Sequence, residues 1–261
     1  MNKTILTAEN YHSPEANNQY MSASQFKNFI ECEEMALALL RGDYEREATS
    51  ALLVGSYVDA YFSGELPLFQ AHHPEIFTRA GELKAEYRQA DYIIARIVRD
   101  ARFMAALNGP KQVIMTGEIE CVPVKIKVDC LLPDRTVDLK IMRDLDDVWI
   151  PDEGRVPFWQ AWRYDIQGAI YREVRRQKDG GAAKPFGLAV ATKEKPEPDI
   201  ALLEFDDHTL DVALDEIRAN IGYFQGVKSG VIAPTRCEKC AYCRSTKVLI
   251  GWAPIVLRDE Q

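Results

Sequence analysis

The chain contains 261 residues, with 40 acidic against 32 basic side chains, so its formal net charge is −8. Hydrophobic residues make up 47% and charged residues 28%, ordinary globular values that exclude a largely disordered chain. A chain of this length can bury a substantial core without disulfides. The acidic balance argues against a protein that coats nucleic acid or anionic membranes through bulk charge, but it permits a local basic groove.

The chain has no apolar run of about eighteen residues, so we expect no contact with a membrane. Residues 1–30 lack the apolar stretch and the small-residue cleavage site of a secretory signal. These features predict a cytoplasmic protein, in a compartment where disulfides are rare. The six cysteines therefore need another explanation.

Apolar periodicity predicts helices at 22–35, 51–62 and 83–108. Ser22 or Ser24 is placed to cap the first of them. Alternating β-branched residues then predict three antiparallel strands over 112–141, with turns at Pro123 and at 132–135. The remaining predicted elements are a helix at 159–177, strands at 186–192 and 200–205, and a helix at 210–224. This order predicts one α/β domain over residues 1–261, with a cysteine-containing tail at 231–250.

Two aspartates and a lysine stand out in the predicted strands. Strand side chains alternate between faces, so Asp138 and Lys140 must point the same way. Asp129 lies on the neighbouring strand, close enough to share a metal ion with Asp138. Carboxylates form a hard oxygen site suited to Mg²⁺ or Mn²⁺, the Leu139 carbonyl is a further candidate ligand, and a lysine can orient or deprotonate water there. The alternative is a surface hairpin with solvated charges.

A glutamine and a tyrosine follow on the next predicted helix. Gln167 and Tyr171 are one helical turn apart on the same face. Such a pair can hydrogen-bond a phosphate, the lysine or metal-bound water. An ordinary amphipathic helix is the alternative explanation for this spacing.

In this order along the chain, Asp129, Asp138-Leu-Lys140 and Gln167-x-x-x-Tyr171 resemble the motifs of PD-(D/E)xK nucleases of the RecB type. The resemblance implies a restriction-endonuclease-like core, with a central mixed sheet flanked by helices. It also implies catalytic roles for these five residues.

The resemblance extends upstream and downstream of these motifs. Gly55-Ser-Tyr-Val-Asp59-Ala is similar to the Gly-x-x-x-His element of the group, with Asp59 in place of the usual histidine ligand. A Ser-x-Ser helix near the N-terminus and a cysteine-rich tail further resemble phage RecE-like exonucleases. The similarity covers about residues 20–250, with the catalytic core at about 50–225.

The resemblance implies a DNA exonuclease that degrades one strand of linear duplex ends from 5′ to 3′ in phage-type recombination, in the cytoplasm of a bacterial host. It implies two Mg²⁺ (or Mn²⁺) ions, a single-strand annealing protein as partner and a homo-oligomeric ring. One alternative is an iron–sulfur nuclease of CRISPR-adaptation or helicase–nuclease type with another polarity. The other is a non-catalytic, metal-containing DNA-binding module.

A glutamate near the first predicted strand joins the metal ligands in many relatives. Glu118 is the candidate here, and Glu120 is an alternative that the sequence does not exclude. A salt-bridged glutamate on the sheet surface is the structural explanation for either residue.

The tail places three thiols within seven residues: Cys237, Cys240 and Cys243. In a reducing compartment this density indicates metal ligation. Cys32 is the candidate fourth ligand, because RecB-type nucleases with an iron–sulfur cluster similarly combine one early cysteine with a late trio. The resemblance favours a 4Fe–4S cluster that joins the N- and C-terminal helical parts, and structural Zn²⁺ is the alternative. Cys121 and Cys130 are expected to be small buried residues, although either is an alternative to Cys32 as the fourth ligand.

Several basic residues lie on the predicted helix that carries Gln167 and Tyr171, and others lie near the strands. Such residues around an acidic metal site are suited to tracking a phosphate backbone. The alternative is an ordinary solvated helix face. The predicted DNA-binding residues are Arg163, Arg172, Arg175 and Lys193.

Overall fold

The computed structural model describes residues 4–47, 49–151 and 153–252. Its helices are α1 (Pro14–Gln19), α2 (Ala23–Glu31), α3 (Glu33–Arg41), α4 (Ser50–Ser63), α5 (Leu66–His72), α6 (Gln89–Val98), α7 (Ala101–Ala106), α8 (Phe158–Ala161), α9 (Tyr164–Lys178), α10 (Asp207–Lys228) and α11 (Ala241–Ser245). Its strands are β1 (Lys111–Ile119), β2 (Val122–Leu131), β3 (Thr136–Met142), β4 (Val148–Ile150), β5 (Gly154–Val156), β6 (Phe186–Thr192) and β7 (Ile200–Glu204). A 3₁₀ turn covers Pro74–Ile76.

A five-stranded mixed sheet in the order β1-β2-β3-β6-β7 forms the centre of the fold. Strands β3 and β6 run parallel, and the other neighbouring strands run antiparallel. The chain between β3 and β6 contains the small β4–β5 hairpin, α8 and α9, and α9 lies against β1, β2 and β6. This arrangement confirms the predicted α/β fold of restriction-endonuclease type.

Two apolar layers cover the sheet, one on each face. Phe186, Leu188 and Val190 of β6 pack with α2, α9 and α10, whereas Ala189 and Ala191 pack with α4, α6 and α7. Every residue of β6 is buried, as expected for a central strand that is covered on both faces. No helix within the described ranges is long and apolar enough to span a membrane.

The N-terminal helices begin as predicted, but three predicted helices are each divided in two: 22–35 at Cys32, 83–108 before α7, and 159–177 between α8 and α9. The Ser22 side chain accepts a hydrogen bond from the Gln25 N–H and caps α2. The predicted helix over 83–108 is two helices, α6 and α7. Asp100 separates them because it adopts an extended backbone and its carboxylate caps α7.

The first hairpin turns at Glu120 and Cys121, so the predicted turn at Pro123 is wrong. Both turn residues have positive φ, 47° and 62°, between the paired residues Ile119 and Val122. Two-residue hairpin turns of this kind normally carry Asn or Gly, and neither residue marks the turn in this sequence. Cys121 is exposed in this turn and not buried as predicted, whereas Cys130 is buried.

Candidate active site

Strands β2 and β3 separate to form a cleft. Their pairing is limited to Cys130 with Val137 and Leu131 with Thr136. Beyond this point a side chain, and not the β2 backbone, binds the β3 backbone. The Asp129 Oδ2 atom accepts a hydrogen bond of 3.0 Å from the Leu139 N–H. The separation of the two strands leaves Asp129 and the β3 side chains facing one open pocket.

Asp138 is the most enclosed acid of this pocket, with 2% of its surface exposed. Its Oδ1 accepts a hydrogen bond of 2.6 Å from Gln167 Nε2. Its Oδ2 lies 2.5 Å from Lys140 Nζ as an ion pair, and this buried oxygen has no other polar partner among the described residues. The predicted common orientation of Asp138 and Lys140 is therefore present in the fold.

Helix α4 contributes Asp59 to the same pocket. The pocket has a volume of about 420 Å³ and is also lined by Asp129, Asp138, Leu139 and Lys140. The two aspartates of the sheet and the one of α4 are thus brought together by three different elements. Asp59 thus lies beside the other two aspartates, and its role as a metal ligand, like that of the Leu139 carbonyl, stays a prediction.

The three carboxylates perturb one another electrostatically. Burial raises the pKa of Asp129 well above its ordinary value, and the charges of Asp138 and Asp59 raise it further. Burial and the Asp138 charge likewise raise the pKa of Asp59. Burial by itself would lower the pKa of Lys140, but the Asp138 and Asp129 carboxylates outweigh it, so the net pKa of this lysine is raised.

This donor set suits a hard divalent cation. Three converging carboxylates repel one another, and Lys140 is the polar partner of the buried Asp138 Oδ2 among the described residues, which leaves this oxygen able to bind a cation as well. Mg²⁺ and Mn²⁺ bind carboxylate oxygens and would relieve this repulsion. The residues of this chain that would hold such an ion are Asp59, Asp129 and Asp138.

Tyr171 joins the crossover helix to β2. Its hydroxyl donates to the Lys127 carbonyl at 3.0 Å, and its side chain is largely buried. Burial raises the pKa of Tyr171, so the phenol stays protonated at neutral pH. Tyr171 lines the catalytic pocket as predicted, but its hydroxyl is engaged with the strand and not with Lys140.

The strand register removes both candidate glutamates from the pocket. Glu118 pairs with Pro123, six residues along β2 from Asp129, which corresponds to about 20 Å. Glu120 lies in the hairpin turn and is 4.0 Å from the Arg218 guanidinium. The prediction that Glu118 joins the metal ligands is therefore wrong.

Two of the predicted DNA-binding arginines are buried in the fold. Arg172 is 6% exposed and pairs with Asp207, at 3.0 Å, and with Asp211. Arg175 is 4% exposed and donates to the Leu132 carbonyl at 2.8 Å. Neither guanidinium is exposed to a ligand, so both serve to pack α9 against its neighbours.

The other two predicted DNA-binding residues differ from each other. Arg163 pairs with Asp165 and Glu216, which neutralise its charge. Lys193 lines the catalytic pocket, and burial lowers its pKa. Of the four predicted residues, Lys193 is thus the one that lies beside the three carboxylates of the pocket.

A further lysine, Lys27, lies near the pocket and was not predicted. Lys27 of α2 and Lys140 both lie over the Tyr164 ring, with Nζ 5.3 Å and 5.2 Å from its centroid. Lys27 also donates to the Trp162 carbonyl at 3.2 Å. Burial lowers the pKa of Lys27 to about 8. No motif in the sequence connects α2 with β3, so only the packing reveals this lysine.

The four predicted cysteine ligands meet at one point. The sulfur atoms of Cys32, Cys237, Cys240 and Cys243 all lie within 4.8 Å of one another. Backbone N–H groups point at two of these sulfurs: Cys240 N lies 3.2 Å from Cys237 Sγ, and Cys243 N lies 3.4 Å from Cys240 Sγ. Such donors stabilise thiolates. This group can bind a metal, and it joins the N-terminal and C-terminal parts of the chain as predicted.

Comparisons with known proteins agree with this site. A family model described as "PDDEXK-like domain of unknown function (DUF3799)" matches residues 22–246. The crystal structure of the "Putative exonuclease" from Eubacterium rectale is 46% identical, covers 97% of both chains and superposes with a TM-score of 0.90. The structure of SSO0001 is 12% identical over 81% of this chain and 91% of its own, with a TM-score of 0.28. No curated protein matches the chain.

These matches, together with the acid–lysine cleft, support a nuclease. The family model spans the catalytic pocket and the cysteine group alike, so both features belong to the matched region. The chain belongs to the PDDEXK-like domain family DUF3799.

Proposed function

We propose that this chain is a Mg²⁺- or Mn²⁺-dependent deoxyribonuclease that hydrolyses phosphodiester bonds from the ends of linear duplex DNA. The observation that carries the proposal is the convergence of Asp59, Asp129, Asp138 and Lys140 in one open pocket. An acidic pocket without a role would gain stability by losing one of its carboxylates, because burial and mutual repulsion disfavour their charged forms.

Each residue has a distinct task in this proposal. Asp59, Asp129 and Asp138 hold the cation, and Gln167 keeps Asp138 Oδ2 directed at the pocket by occupying Oδ1. Lys140 presents a positive charge beside Asp138, where it can donate to a phosphate oxygen or orient the attacking water. Tyr171 fixes the distance between α9 and β2. When bound, the divalent ion would lower the pKa of water and offset the charge that develops on the phosphate.

The finer features of the proposal come from similarity to other proteins. The "Putative exonuclease" from Eubacterium rectale favours cleavage from ends. The resemblance to RecE-like enzymes supports 5′ to 3′ polarity, two metal ions, a homo-oligomer and transfer of the exposed strand to an annealing protein in phage-type recombination.

Digestion of labelled DNA tests this proposal. The purified chain is incubated with linear duplexes labelled at the 5′ or the 3′ end and with closed circular DNA, with and without Mg²⁺. We expect Mg²⁺-dependent loss of linear DNA, with early release of the 5′ label and no cutting of circles. Asp138→Ala and Lys140→Ala should abolish digestion, whereas the matched exposed controls Asp134→Ala and Lys84→Ala should not.

Three outcomes would overturn parts of the proposal. DNA binding without digestion at any divalent metal would indicate a non-catalytic module. Digestion that begins at the 3′ end would reverse the polarity. Activity that survives Asp138→Ala would displace the site from this pocket.

We further propose that the cysteine group binds structural Zn²⁺. Tetrahedral Zn–S bonds of about 2.3 Å place the sulfurs about 3.8 Å apart. Here Cys32 Sγ and Cys243 Sγ are 3.5 Å apart, and Cys237 Sγ and Cys243 Sγ are 3.9 Å apart. A 4Fe–4S cluster interposes four irons and four sulfides between its ligands and holds them farther apart, so the spacing favours the single ion.

Metal analysis of protein purified without oxygen distinguishes the two cofactors. One zinc per chain and no visible absorption would support the zinc proposal. Four irons per chain together with a broad visible absorption would support the cluster instead. Neither result would affect the assignment of the catalytic pocket.

A further inference from the structure

A second polar pocket adjoins the catalytic pocket. Its volume is about 340 Å³, and Gln167 and Tyr171 line both pockets. The N-terminal segment, α2, α3 and β2 supply the other walls, which carry mostly polar side chains. Because two side chains belong to both walls, the two pockets are immediate neighbours.

Strand β2 connects the two pockets by a row of charged side chains. Lys125, Lys127 and Asp129 are alternate residues and therefore project from the same face of the strand, about 6.7 Å apart. Asp129 lines the catalytic pocket, and both lysines line the second one. If a strand of nucleic acid has one phosphate beside Asp129, its neighbouring phosphate would thus lie near the positive charge of Lys127.

The lysines of the second pocket form no ion pair with a carboxylate among the described residues, although the Lys127 charge acts on Asp59 and opposes the rise of its pKa. Lys125 is 1% exposed and donates to the Tyr11 carbonyl at 2.5 Å and to Asn17 Oδ1 at 2.8 Å, both uncharged acceptors. Lys127 Nζ makes no ion pair or hydrogen bond with any residue in the described part of the chain. Lys127 Nζ lies over the Tyr11 ring, 5.8 Å from its centroid.

A third lysine behind the pocket shows the same pattern. Lys228 donates to the Tyr20 carbonyl at 2.8 Å and to Gln25 Oε1 at 2.9 Å, again without a carboxylate partner among the described residues. Buried lysines are normally paired with an acid, because an unpaired buried charge is costly. Lys228 avoids this cost by a lowered pKa, whereas Lys127 lines the pocket without an acid partner among the described residues, and in a chain of net charge −8 it therefore points to an anion from outside.

We propose that the second pocket binds a phosphate group of the DNA strand whose neighbouring linkage lies in the catalytic pocket. Lys127 would contact the phosphate directly, and Lys125 would contribute charge from beneath. His12 and Ser24, which also line the pocket, are further hydrogen-bonding groups for the phosphate oxygens. The inference rests on the proposed nuclease function and adds a site that holds the strand beside the bond to be cut.

Equilibrium binding tests this site without turnover. Fluorescence anisotropy of a labelled single-stranded oligonucleotide is measured with the full chain in Ca²⁺, for the unchanged protein, Lys127→Gln, Lys127→Arg and the exposed control Lys84→Gln. We expect Lys127→Gln to weaken binding by about tenfold, as for one charge-assisted contact. It should also reduce the slope of log affinity against log salt by about 0.7, the value for one phosphate of a single strand. Lys127→Arg should retain both the affinity and the salt slope of the unchanged protein.

The source of the phosphate is distinguished by the oligonucleotide. If the Lys127→Gln effect disappears with a 5′-hydroxyl strand, the pocket binds the terminal phosphate. If it persists there but disappears when one internal linkage is a methylphosphonate, the pocket binds that internal phosphate. Both results support the site.

An affinity and a salt slope of Lys127→Gln equal to those of Lys84→Gln on all strands would overturn this site. If the chain nevertheless digests DNA, only the second pocket is refuted. If binding depends on Lys127 but no DNA is cut at any divalent metal, the nuclease proposal fails and the phosphate site stands.

Discussion

Gln167 Nε2 donates a hydrogen bond of 2.6 Å to Asp138 Oδ1. The amide belongs to α9 and the carboxylate to β3, so this bond joins the crossover helix to the strand that carries Lys140. Because the amide occupies Oδ1, the carboxylate oxygen that remains for a metal ion is Oδ2.

Replacing Gln167 by Leu should therefore weaken metal binding more than folding. Loss of a side chain that orients a metal ligand typically costs 10–100-fold in affinity or activity, and we expect about this shift in the Mg²⁺ concentration for half-maximal cleavage. High Mg²⁺ should restore part of the rate. The exposed control Gln70→Leu should behave like the unchanged protein. An unaltered Mg²⁺ requirement in Gln167→Leu would show that Asp138 needs no positioning.

Asp129→Asn should stabilise the fold while it removes activity. The pKa of Asp129 is raised in the folded chain, so its ionised form lowers stability at pH values above the raised pKa and has no such effect below the ordinary pKa. Asparagine removes the charge and keeps an oxygen that can accept the Leu139 N–H. In buffer without added divalent ions we expect Tm to rise by roughly 2–4 °C at pH 7.5, for about 1 kcal/mol.

The pH dependence provides the control for this effect. Near pH 4 the difference between Asp129→Asn and the unchanged protein should shrink, because the carboxyl is then protonated in the folded chain. Asp134→Asn, in the exposed turn before β3, should not raise Tm at pH 7.5. A Tm gain that is the same at both pH values would point to packing and not to charge.

Lys228 should make stability rise with pH above neutrality. Burial lowers its pKa to about 7, and the Lys125 charge contributes. Between pH 7 and about 10.5 the unfolded chain keeps a proton that the folded chain has released, so the free energy of unfolding increases with pH by up to about 1.4 kcal/mol per unit. Lys228→Met should lack this contribution.

Urea unfolding at pH 7.5 and 9.5 measures this effect. The unchanged protein should gain about 1–2 kcal/mol more than Lys228→Met between the two pH values. Lys84→Met, which replaces an exposed lysine, should gain as much as the unchanged protein. Equal gains in all three proteins would show that Lys228 is charged in the folded chain throughout this range.

The cysteine group should contribute strongly to stability, because it connects Cys32 with a tail about 200 residues later in the chain. By analogy with a disulfide that closes a long loop, its loss should cost about 2–4 kcal/mol, or roughly 5–15 °C in Tm. Cys32→Ser should show this loss and a lower metal content. Cys121→Ser, at the exposed hairpin turn, should show neither. A Cys32→Ser variant with full metal content would remove Cys32 from the ligand set.

Several elements and the residues of the active site were predictable because they depend on local pattern. The spacing of Asp138 and Lys140 follows from the alternation of a strand, and that of Gln167 and Tyr171 from the turn of a helix. The tail cysteines lie within seven residues, so their common site was also apparent. These relationships are set within single elements, where sequence distance determines spatial distance.

The position of each element relative to the others was decided only by the tertiary structure. The register of β1 on β2 removed Glu118 from the metal site, and helix packing buried Arg172 and Arg175, which the sequence alone would have exposed. The packing of α2 and the N-terminal segment brought Lys27 to Tyr164 and enclosed Lys125. Sequence spacing carries no information on such contacts. They join residues more than a hundred positions apart in the chain, which the burial of apolar faces brings together. The net charge of −8 excluded bulk attraction to DNA, whereas the location of the unpaired lysines that could attract it depended on the fold.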